Sequence, residues 1–336
     1  MATRRAFLRC LVGLGAGLLP WQNGILPKTA ILSSTSTTNQ EQQWTKNSEA
    51  KLCFVVVSDI HIASVDAIRN FTATFDDNKN SKLDAMVVVG DLGDGRSRDY
   101  CTLNNELAEH KGDIDYPIYW AIGNHEFYGA FYKYGLWSPE TFPNRESDAI
   151  AIDRFLKQAN RDKVYGDTWV NDYHFILLGS EKSCMSDMSY TDAAYLSDTQ
   201  LDWFQKALNN NRSSRPIFVF LHQPIPYTTL GGLQQGSVIQ WQKLNAILSL
   251  HPEIILFNGH THYQLDYKNM VSRTSFTIVN SSSLANPLDR NEKPIMNSAP
   301  GVVVEVYNEK VVIRGRDFLK RDWISRTVVT FGTTCC

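Results

Sequence analysis

Two carboxylates, one amide and five imidazoles occur in short polar clusters, each directly after an apolar run. The carboxylates are those of Asp59 and Asp91, and Asn124 supplies the amide oxygen. A mixed set of imidazole and carboxylate groups suits Mn, Fe or Zn, whereas Ca and Mg prefer an all-oxygen shell. The clusters therefore predict a transition-metal site. Five of the chain's eight histidines lie in them: His61, His125, His222, His260 and His262.

Seven or eight candidate ligands are too many for one transition-metal ion. A carboxylate shared between two ions about 3.5–4 Å apart accommodates this number. The composition therefore predicts two divalent or trivalent ions, with Mn, Fe and Zn all open as their identity. Such a pair neutralises phosphate oxygens and lowers the pKa of a bridging water, so that a metal-activated hydroxide can attack phosphorus. This chemistry requires no Ser or Cys nucleophile.

The apolar runs before these clusters predict the elements that position them. They are rich in branched residues and continuously apolar, which is typical of strands covered on both faces. Helix-compatible stretches lie between most of them, as in β-α-β units, whose ligands bind outside the carboxyl ends of the strands. Five of the six runs deliver a candidate ligand at that end. The runs are 52–57, 85–89, 118–122, 175–178, 216–221 and 254–257.

The chain becomes more β-like after residue 265. Further strands are expected at 275–279, 301–307 and 310–314, and a turn at Asn308-Glu309 joins the last two as a hairpin. No internal repeat occurs. The pattern predicts one domain of two packed sheets with helices outside, over residues 48–336.

Five motif blocks occur in one order between residues 59 and 262. Together they resemble the calcineurin-like metallophosphoesterase superfamily. The resemblance implies a four-layer α/β/β/α sandwich of two mixed sheets flanked by helices. The blocks are Asp59-x-His61, Gly90-Asp91-x-x-Asp94, Gly123-Asn124-His125-Glu126, His222 and Gly259-His260-x-His262.

The same resemblance implies a role for each residue of the site. His125 would not bind metal but would face the substrate as general acid or charge stabiliser, with Asp94 orienting its ring. Glu126 would begin a helix or support the site, not bind metal. Asp91 would bridge the two ions. The first metal would be held by Asp59, His61 and His262, and the second by Asn124, His222 and His260.

The function implied is hydrolysis of a small phosphomonoester or phosphodiester, and cyclic nucleotide, nucleotide and phospholipid-derived substrates are all compatible. A pyrophosphate-bond hydrolase on the same scaffold and a non-catalytic phosphate-ligand-binding protein are the alternatives. The block Gly-Asp-Leu-Gly-Asp lacks the Tyr expected after the bridging Asp of a purple acid phosphatase. The protein-phosphatase branch of the superfamily is expected to continue its second block with Arg-Gly, which Gly95-Arg96 matches only in part. Phosphoproteins are therefore not the favoured substrates.

Two segments beside the blocks are candidates for substrate contacts. The aromatic stretch 127–158 follows the third block, with Tyr128 as its leading candidate. It predicts a lid or pocket wall, and core or dimer packing is the alternative. The loop 223–232 follows His222, and Tyr227 is its candidate contact. The role of the loop containing Ser283 and Asn286 is left open.

The termini and the charge balance bear on location and partners. Residues 1–27 join a basic head to a short apolar stretch, which is typical of an export signal, and Arg4-Arg5 resembles the bacterial twin-arginine signal. A periplasmic, cell-envelope or extracellular location is expected, while signal cleavage or retention as an anchor stays open. Residues 28–47 predict a polar linker. With 33 Lys and Arg against 35 Asp and Glu, nucleic-acid binding is not predicted; the oligomeric state is left open.

Overall fold

The structure is a computed structural model that describes residues 43–211, 215–232 and 236–331. In this part of the chain, fourteen strands form two six-stranded sheets and one small hairpin. The strands are β1 Leu52–Val57, β2 Ala85–Val89, β3 Ile118–Ala121, β4 Tyr132–Lys133, β5 Leu136–Trp137, β6 Gly166–Val170, β7 Tyr173–Leu177, β8 Ile217–Phe220, β9 Ile254–Asn258, β10 Val271–Arg273, β11 Thr277–Asn280, β12 Pro300–Val306, β13 Lys310–Asp317 and β14 Asp322–Thr330.

Both large sheets are mixed. The first has the order β14-β13-β12-β1-β2-β3, in which β1, β2 and β3 are parallel and the other pairs are antiparallel. The second has the order β10-β11-β9-β8-β7-β6, in which the four central strands are parallel and the edge strands antiparallel. The carboxyl ends of parallel strands share one edge of a sheet, which is where the predicted ligands follow.

Five α-helices flank the sheets. Serine side chains cap three of them: Ser64 accepts the N–H of Ala67 at the start of the first helix, and Ser147 and Ser197 do the same for the third and fourth. Short 3₁₀ turns occupy His125–Phe131, Pro139–Thr141, Met188–Tyr190 and Lys268–Met270. The helices are α1 Val65–Asn78, α2 Ser97–Glu109, α3 Asp148–Ala159, α4 Asp198–Asn209 and α5 Trp241–Leu248.

The layers follow from the two-residue period of the strands. In β1, Phe54 and Val56 point into a core shared by both sheets, whereas Val55 belongs to a core that the first sheet forms with α1, α2 and α3. A third core joins the second sheet to α4 and α5 and includes Val219 of β8 and Phe204 of α4. The four-layer α/β/β/α fold is therefore confirmed.

Several expectations are refined by the structure. The six apolar runs are strands, but the edge strands β6, β10 and β14 were not predicted. Residues 127–158 are not one lid, because α3 packs in the core with Phe155 fully buried. The polar linker was predicted to reach residue 47, yet Trp44 is buried and its ring packs 5.8 Å from that of Trp323. Cys53 is a buried free thiol.

The predicted export signal, most of the polar linker and the Cys335-Cys336 pair lie outside the described residues. Within the described ranges, the helices are all too short or too polar to cross a membrane.

Candidate metal centre

The predicted ligands follow the carboxyl ends of β1, β2 and β3 in one sheet and of β8 and β9 in the other. Most of them adopt a backbone conformation that side chains other than glycine rarely take, with φ in the left-handed region. Such strain persists only where surrounding structure enforces it, and it is concentrated at functional sites. The residues are Asp59 (φ 56°), His61 (43°), Asp91 (57°), His260 (70°) and His262 (61°).

The first three predicted ligands lie together. Potential ligand atoms of Asp59, His61 and His262 lie within 4.8 Å of one another. Nε2 of His262 is 2.9 Å from Oδ1 of Asp59, and Nε2 of His61 is 3.9 Å from the same oxygen. The structure thus brings together the residues that the resemblance assigned to the first ion.

A second group lies beside the first. Asp91, His222 and His260 again have potential ligand atoms within 4.8 Å of one another. Nε2 of His222 is 3.2 Å from Oδ2 of Asp91 and 3.1 Å from Oδ1 of Asn124. These are the residues that the resemblance assigned to the second ion and the bridge.

The donor chemistry of both groups fits metal ions. Nε2 of His61 is buried without a hydrogen-bond partner and lies 3.9 Å from Asp59 and 4.0 Å from Asp91. These separations are too long for hydrogen bonds. Two ligands each about 2.1 Å from one ion lie at most about 4.2 Å apart, so both separations suit shared coordination. The fully buried Asp59 and nearly fully buried Asp91 supply negative charge that a cation would neutralise.

Backbone carbonyls fix the orientation of two imidazoles. Nδ1 of His222 lies 2.6 Å from the carbonyl oxygen of Val89, and Nδ1 of His262 lies 3.1 Å from that of Asn286. A carbonyl can only accept, so each Nδ1 carries the proton and donates it. In a neutral ring, Nε2 then keeps its lone pair for a metal ion.

Without metal ions, the pKa values of the candidate ligands reflect the close packing of imidazoles and carboxylates. Burial and the nearby His125 lower the pKa of His61 to about 4. Burial also opposes charge on His222, but the carboxylates of Asp91 and Asp59 outweigh it and raise the pKa of that ring to about 10. Neighbouring histidines hold the pKa of both buried aspartates below the usual value despite desolvation.

His125 lies beside the ligand groups, with its ring centroid 4.5 Å from that of His61, and potential ligand atoms of His61, Asp94 and His125 lie within 4.8 Å of one another. Nδ1 of His125 is 3.0 Å from Oδ1 of Asp94, whose other oxygen accepts a 2.6 Å hydrogen bond from the Tyr132 hydroxyl. Arg96 lies 3.4 Å from the same oxygen. Although burial opposes it, the carboxylates of Asp91 and Asp94 raise the pKa of His125 to about 9. The ring can therefore carry a proton near neutral pH.

Glu126 is a structural link between two of the blocks. Its fully buried carboxylate accepts backbone N–H groups from Asp91 (3.1 Å), Leu92 (2.7 Å) and Gly123 (2.6 Å). Desolvation and the charge of Asp91 raise its pKa to about 7. The sequence showed only that this Glu follows His125; the structure shows that it connects the loops after β2 and β3.

A late loop supports the first ligand group. Ser283 donates its hydroxyl to the carbonyl of Asp59 over 3.2 Å, and Asn280 donates to the carbonyl of Gly259 and the hydroxyl of Thr261. Together with the hydrogen bond from His262 to the Asn286 carbonyl, these contacts hold two members of the first group, Asp59 and His262. The function of the loop was missed because backbone acceptors leave no mark in the sequence.

Two glycines in the motif blocks are required because side chains of predicted ligands lie directly against them. A Cβ on Gly90 would lie 2.5 Å from Nδ1 of His222, and one on Gly123 would lie 2.2 Å from Oδ1 of Asp91. Gly90 also has φ 84°, which favours glycine. Any side chain at either position would displace a predicted ligand.

The two predicted substrate contacts lie in different environments. The ring of Tyr128 stacks on that of His125, with centroids 3.9 Å apart, and so belongs to the site. Tyr227 is 77% exposed and its ring lies 6.3 Å from that of Trp241 on α5. Substrate contact by either residue stays a prediction.

Comparison with known proteins is consistent with this geometry. A model of the Calcineurin-like phosphoesterase family matches residues 53–264. The chain is 23% identical over 235 residues to a probable cyclic nucleotide phosphodiesterase of Pseudoalteromonas sp. (strain SM9913), a match that covers 66% of this chain and 76% of the relative.

Two further likenesses concern part of the sequence and the fold. The chain is 24% identical over 186 residues to the 3′,5′-cyclic adenosine monophosphate phosphodiesterase of Escherichia coli (strain K12), which covers 55% of this chain and 56% of that protein. A dimetal phosphatase from Danio rerio superimposes with a TM-score of 0.60 at 13% identity, covering 84% of this chain and 100% of that one. The structural likeness is one of fold.

Proposed function

The chain belongs to the calcineurin-like phosphoesterase family and is a phosphoesterase, and from this we propose that it hydrolyses a small phosphodiester at a centre of two metal ions. One observation carries the dinuclear part. Oδ2 of Asp91 lies 3.2 Å from Nε2 of His222 and 4.0 Å from Nε2 of His61, one residue from each ligand group. A single carboxylate in that position can be shared by two ions.

Each residue has a defined task in this proposal. Asp59, His61 and His262 would hold one ion, and bound cations supply charge neutralisation at the phosphate and lower the pKa of a coordinated water. The remaining chemistry is proton transfer to the leaving oxygen. His125 can donate that proton because it lies next to the ligand groups and its hydrogen bond to Asp94 favours the protonated ring.

The second ion would be held by Asn124, His222 and His260, and Asp91 would be shared by the two ions. Asp94 would keep Nδ1 of His125 occupied, so that Nε2 is the nitrogen left to serve the substrate. The diester preference is supported by the two relatives, since both are named as cyclic nucleotide phosphodiesterases.

The test is a substrate panel with the metal-reconstituted protein. The probes are bis(p-nitrophenyl) phosphate, p-nitrophenyl phosphate, adenosine 3′,5′-cyclic phosphate and a nucleoside diphosphate, each with Mn, Zn or Fe and then with chelator. We expect the diesters to be cleaved fastest and the chelator to abolish activity. Preferred cleavage of the diphosphate would favour a pyrophosphate-bond hydrolase, and binding without turnover would favour a non-catalytic protein.

A matched pair of histidine variants makes the test specific. His262→Gln removes a predicted ligand, whereas His251→Gln alters a histidine that pairs with Glu253 at 3.1 Å outside the ligand groups. We expect His262→Gln to lose metal and activity together and His251→Gln to retain both. Equal behaviour of the two variants would contradict the proposed centre.

We also propose that residues 1–27 direct export through the twin-arginine pathway, as the Arg4-Arg5 pair indicates. A fusion of residues 1–47 to a reporter should be exported by a bacterial host that has this pathway. Replacing both arginines by lysine should block its export. Export that is unaffected by this change would contradict the proposal.

A further inference from the structure

The ring of His125 is contacted on its face as well as at its edge. Tyr128 stacks on it with an interplanar angle of 26° and a centroid separation of 3.9 Å. The Tyr128 hydroxyl in turn donates a 2.7 Å hydrogen bond to Oδ1 of Asp192. The partner of the stacked ring is therefore 64 positions away in sequence.

Asp192 lies in the loop that follows β7, whose end supplies no predicted metal ligand. Its carbonyl accepts a 3.1 Å hydrogen bond from the Gln223 side chain, next to His222. Thr191, immediately before it, has φ 47° and ψ −116°, a conformation unfavourable for a β-branched residue. Tyr128, Thr191 and Gln223 line a small pocket with Asn124. The loop thus borders the candidate centre and is held in a specific conformation.

From this arrangement we propose that Asp192 is a positioning residue that acts on His125 through Tyr128. The hydrogen bond from Nδ1 of His125 to Asp94 fixes one ring atom, and the edge-on ring of His61, 4.5 Å away between centroids, leaves the stacked face to Tyr128. Stacking against Tyr128 restricts the tilt of the ring, and the bond to Asp192 restricts the movement of Tyr128. These contacts together hold the plane in which Nε2 presents its proton.

This inference rests on the proposed role of His125 as general acid. In that step a hydroxide oxygen derived from water forms a new bond to phosphorus as the P–O bond to the leaving group breaks, and the electron pair of the broken bond stays on the leaving oxygen. The proton on Nε2 of His125 moves to that oxygen, and the neutral ring is later reprotonated from solvent. Orientation of the ring matters most when the leaving oxygen is strongly basic, because a weakly basic phenolate leaves without a proton.

Leaving-group dependence is therefore the readout. Methyl phenyl phosphate and methyl p-nitrophenyl phosphate form a matched pair that differs only in the basicity of the leaving group. Tyr128→Phe keeps the stacked ring but removes the hydroxyl, and Asp192→Ala removes its acceptor. For each variant we expect kcat for the phenyl ester to fall on the order of tenfold more than kcat for the p-nitrophenyl ester, with KM values changing less than kcat.

Two controls separate positioning from general damage to the loop. Asp192→Asn keeps an acceptor oxygen and should recover most of the kcat for the phenyl ester that Asp192→Ala loses. Asp187→Asn alters the same loop at a carboxylate that accepts the backbone N–H of Ser189. It should not change the ratio of kcat for the two esters. In the double variant Tyr128→Phe with Asp192→Ala, kcat for the phenyl ester should fall no further than in either single variant, because both substitutions remove the same hydrogen bond.

A spectroscopic readout does not depend on activity. In the metal-free protein, the stacked Tyr128 ring should shift the His125 ring protons upfield in the NMR spectrum, and Asp192→Ala should reduce that shift. Equal loss of rate on both esters, or an unchanged NMR shift, would overturn the positioning role. If His125→Ala itself shows no leaving-group dependence, the general-acid proposal fails instead, so the two failures are distinguishable.

Discussion

The carboxylate of Glu126 accepts the backbone N–H of Asp91 over 3.1 Å, which joins the predicted general-acid block to the predicted bridging ligand. Two further backbone donors, from Leu92 and Gly123, reach the same carboxylate. Because all three donors are peptide groups, Glu126 determines the course of the backbone on both sides of Asp91. It thereby supports the position of Asp91 through the backbone.

Replacing Glu126 by Gln should weaken both folding and metal binding. An amide offers one oxygen in place of two and directs its own N–H groups at backbone donors. Unsatisfied buried groups cost about 1–3 kcal/mol each, and loss of a partner that orients a ligand lowers metal affinity about 10–100-fold. Denaturant unfolding and metal titration test this. The exposed Glu140→Gln serves as control, and equal metal affinity in both variants would contradict the role of Glu126.

Asp91→Asn should lower metal content and activity together. The amide keeps one oxygen of similar shape but loses the negative charge that a shared ligand supplies to two ions. Elemental analysis of the purified variant should show less than the full complement of metal, and hydrolysis of bis(p-nitrophenyl) phosphate should fall in parallel. Full metal content with full activity would exclude Asp91 as a bridge.

Metal affinity should increase with pH because of His222. Its pKa of about 10 in the protein alone means that the ring holds an extra proton at neutral pH, and that proton must leave before Nε2 can bind a cation. Affinity should therefore rise by about tenfold per pH unit for each proton released, up to the pKa. His61, with a pKa of about 4, is already neutral and adds no such dependence.

Calorimetry in buffers of different ionisation heat would count the protons released. We expect release at pH 7 to fall in His222→Ala and to be unchanged by a substitution at the remote His251. A metal affinity that is constant between pH 6 and pH 9 would contradict this account.

Phe54→Ala should be among the most destabilising substitutions in the core between the sheets. The fully buried Phe54 ring contacts four phenylalanines edge-on, with Phe218 and Phe175 nearest at centroid distances of 4.8 and 4.9 Å. Phe-to-Ala changes in cores cost about 3–5 kcal/mol. The exposed Leu250→Ala should change stability by less than about 0.5 kcal/mol. Chemical denaturation of both variants checks the difference.

The ligand positions were predictable because of a simple topological fact. Parallel strands place their carboxyl ends at one edge, so polar residues after several apolar runs must come together there. This reasoning identified the candidate ligands and His125, whereas their division into two groups and the pairing of His125 with Asp94 came from the resemblance to the family. The edge strand β14 was not predicted, because most of its side chains are exposed or half-buried and no apolar run marks it.

The supporting contacts were not predictable for a different reason. The Asn286 carbonyl that orients His262 is a backbone group, which every residue has. The bond between Tyr128 and Asp192 depends on how one loop folds over another, and neither residue type indicates its partner. Sequence pattern thus predicts which atoms could bind metal, whereas loop conformation determines how those atoms are held.

His125→Ala should separate proton transfer from metal binding. The ring contributes to neither ligand group in the proposed assignment, and its Nδ1 is occupied by Asp94 at 3.0 Å. Metal content should therefore stay near that of the unaltered protein, while turnover should fall about 10²–10⁴-fold, the usual effect of losing a general acid or base.

Elemental analysis and steady-state kinetics on the same preparation test this prediction. Asp94→Asn is the companion variant, because it keeps an acceptor for Nδ1 but removes the charge that helps to keep His125 protonated. It should lower turnover less than His125→Ala does. Loss of metal from His125→Ala would mean that this ring is itself a ligand, and full turnover would mean that the leaving group takes its proton from water; either result would remove His125 from the role that its position beside both ligand groups supports.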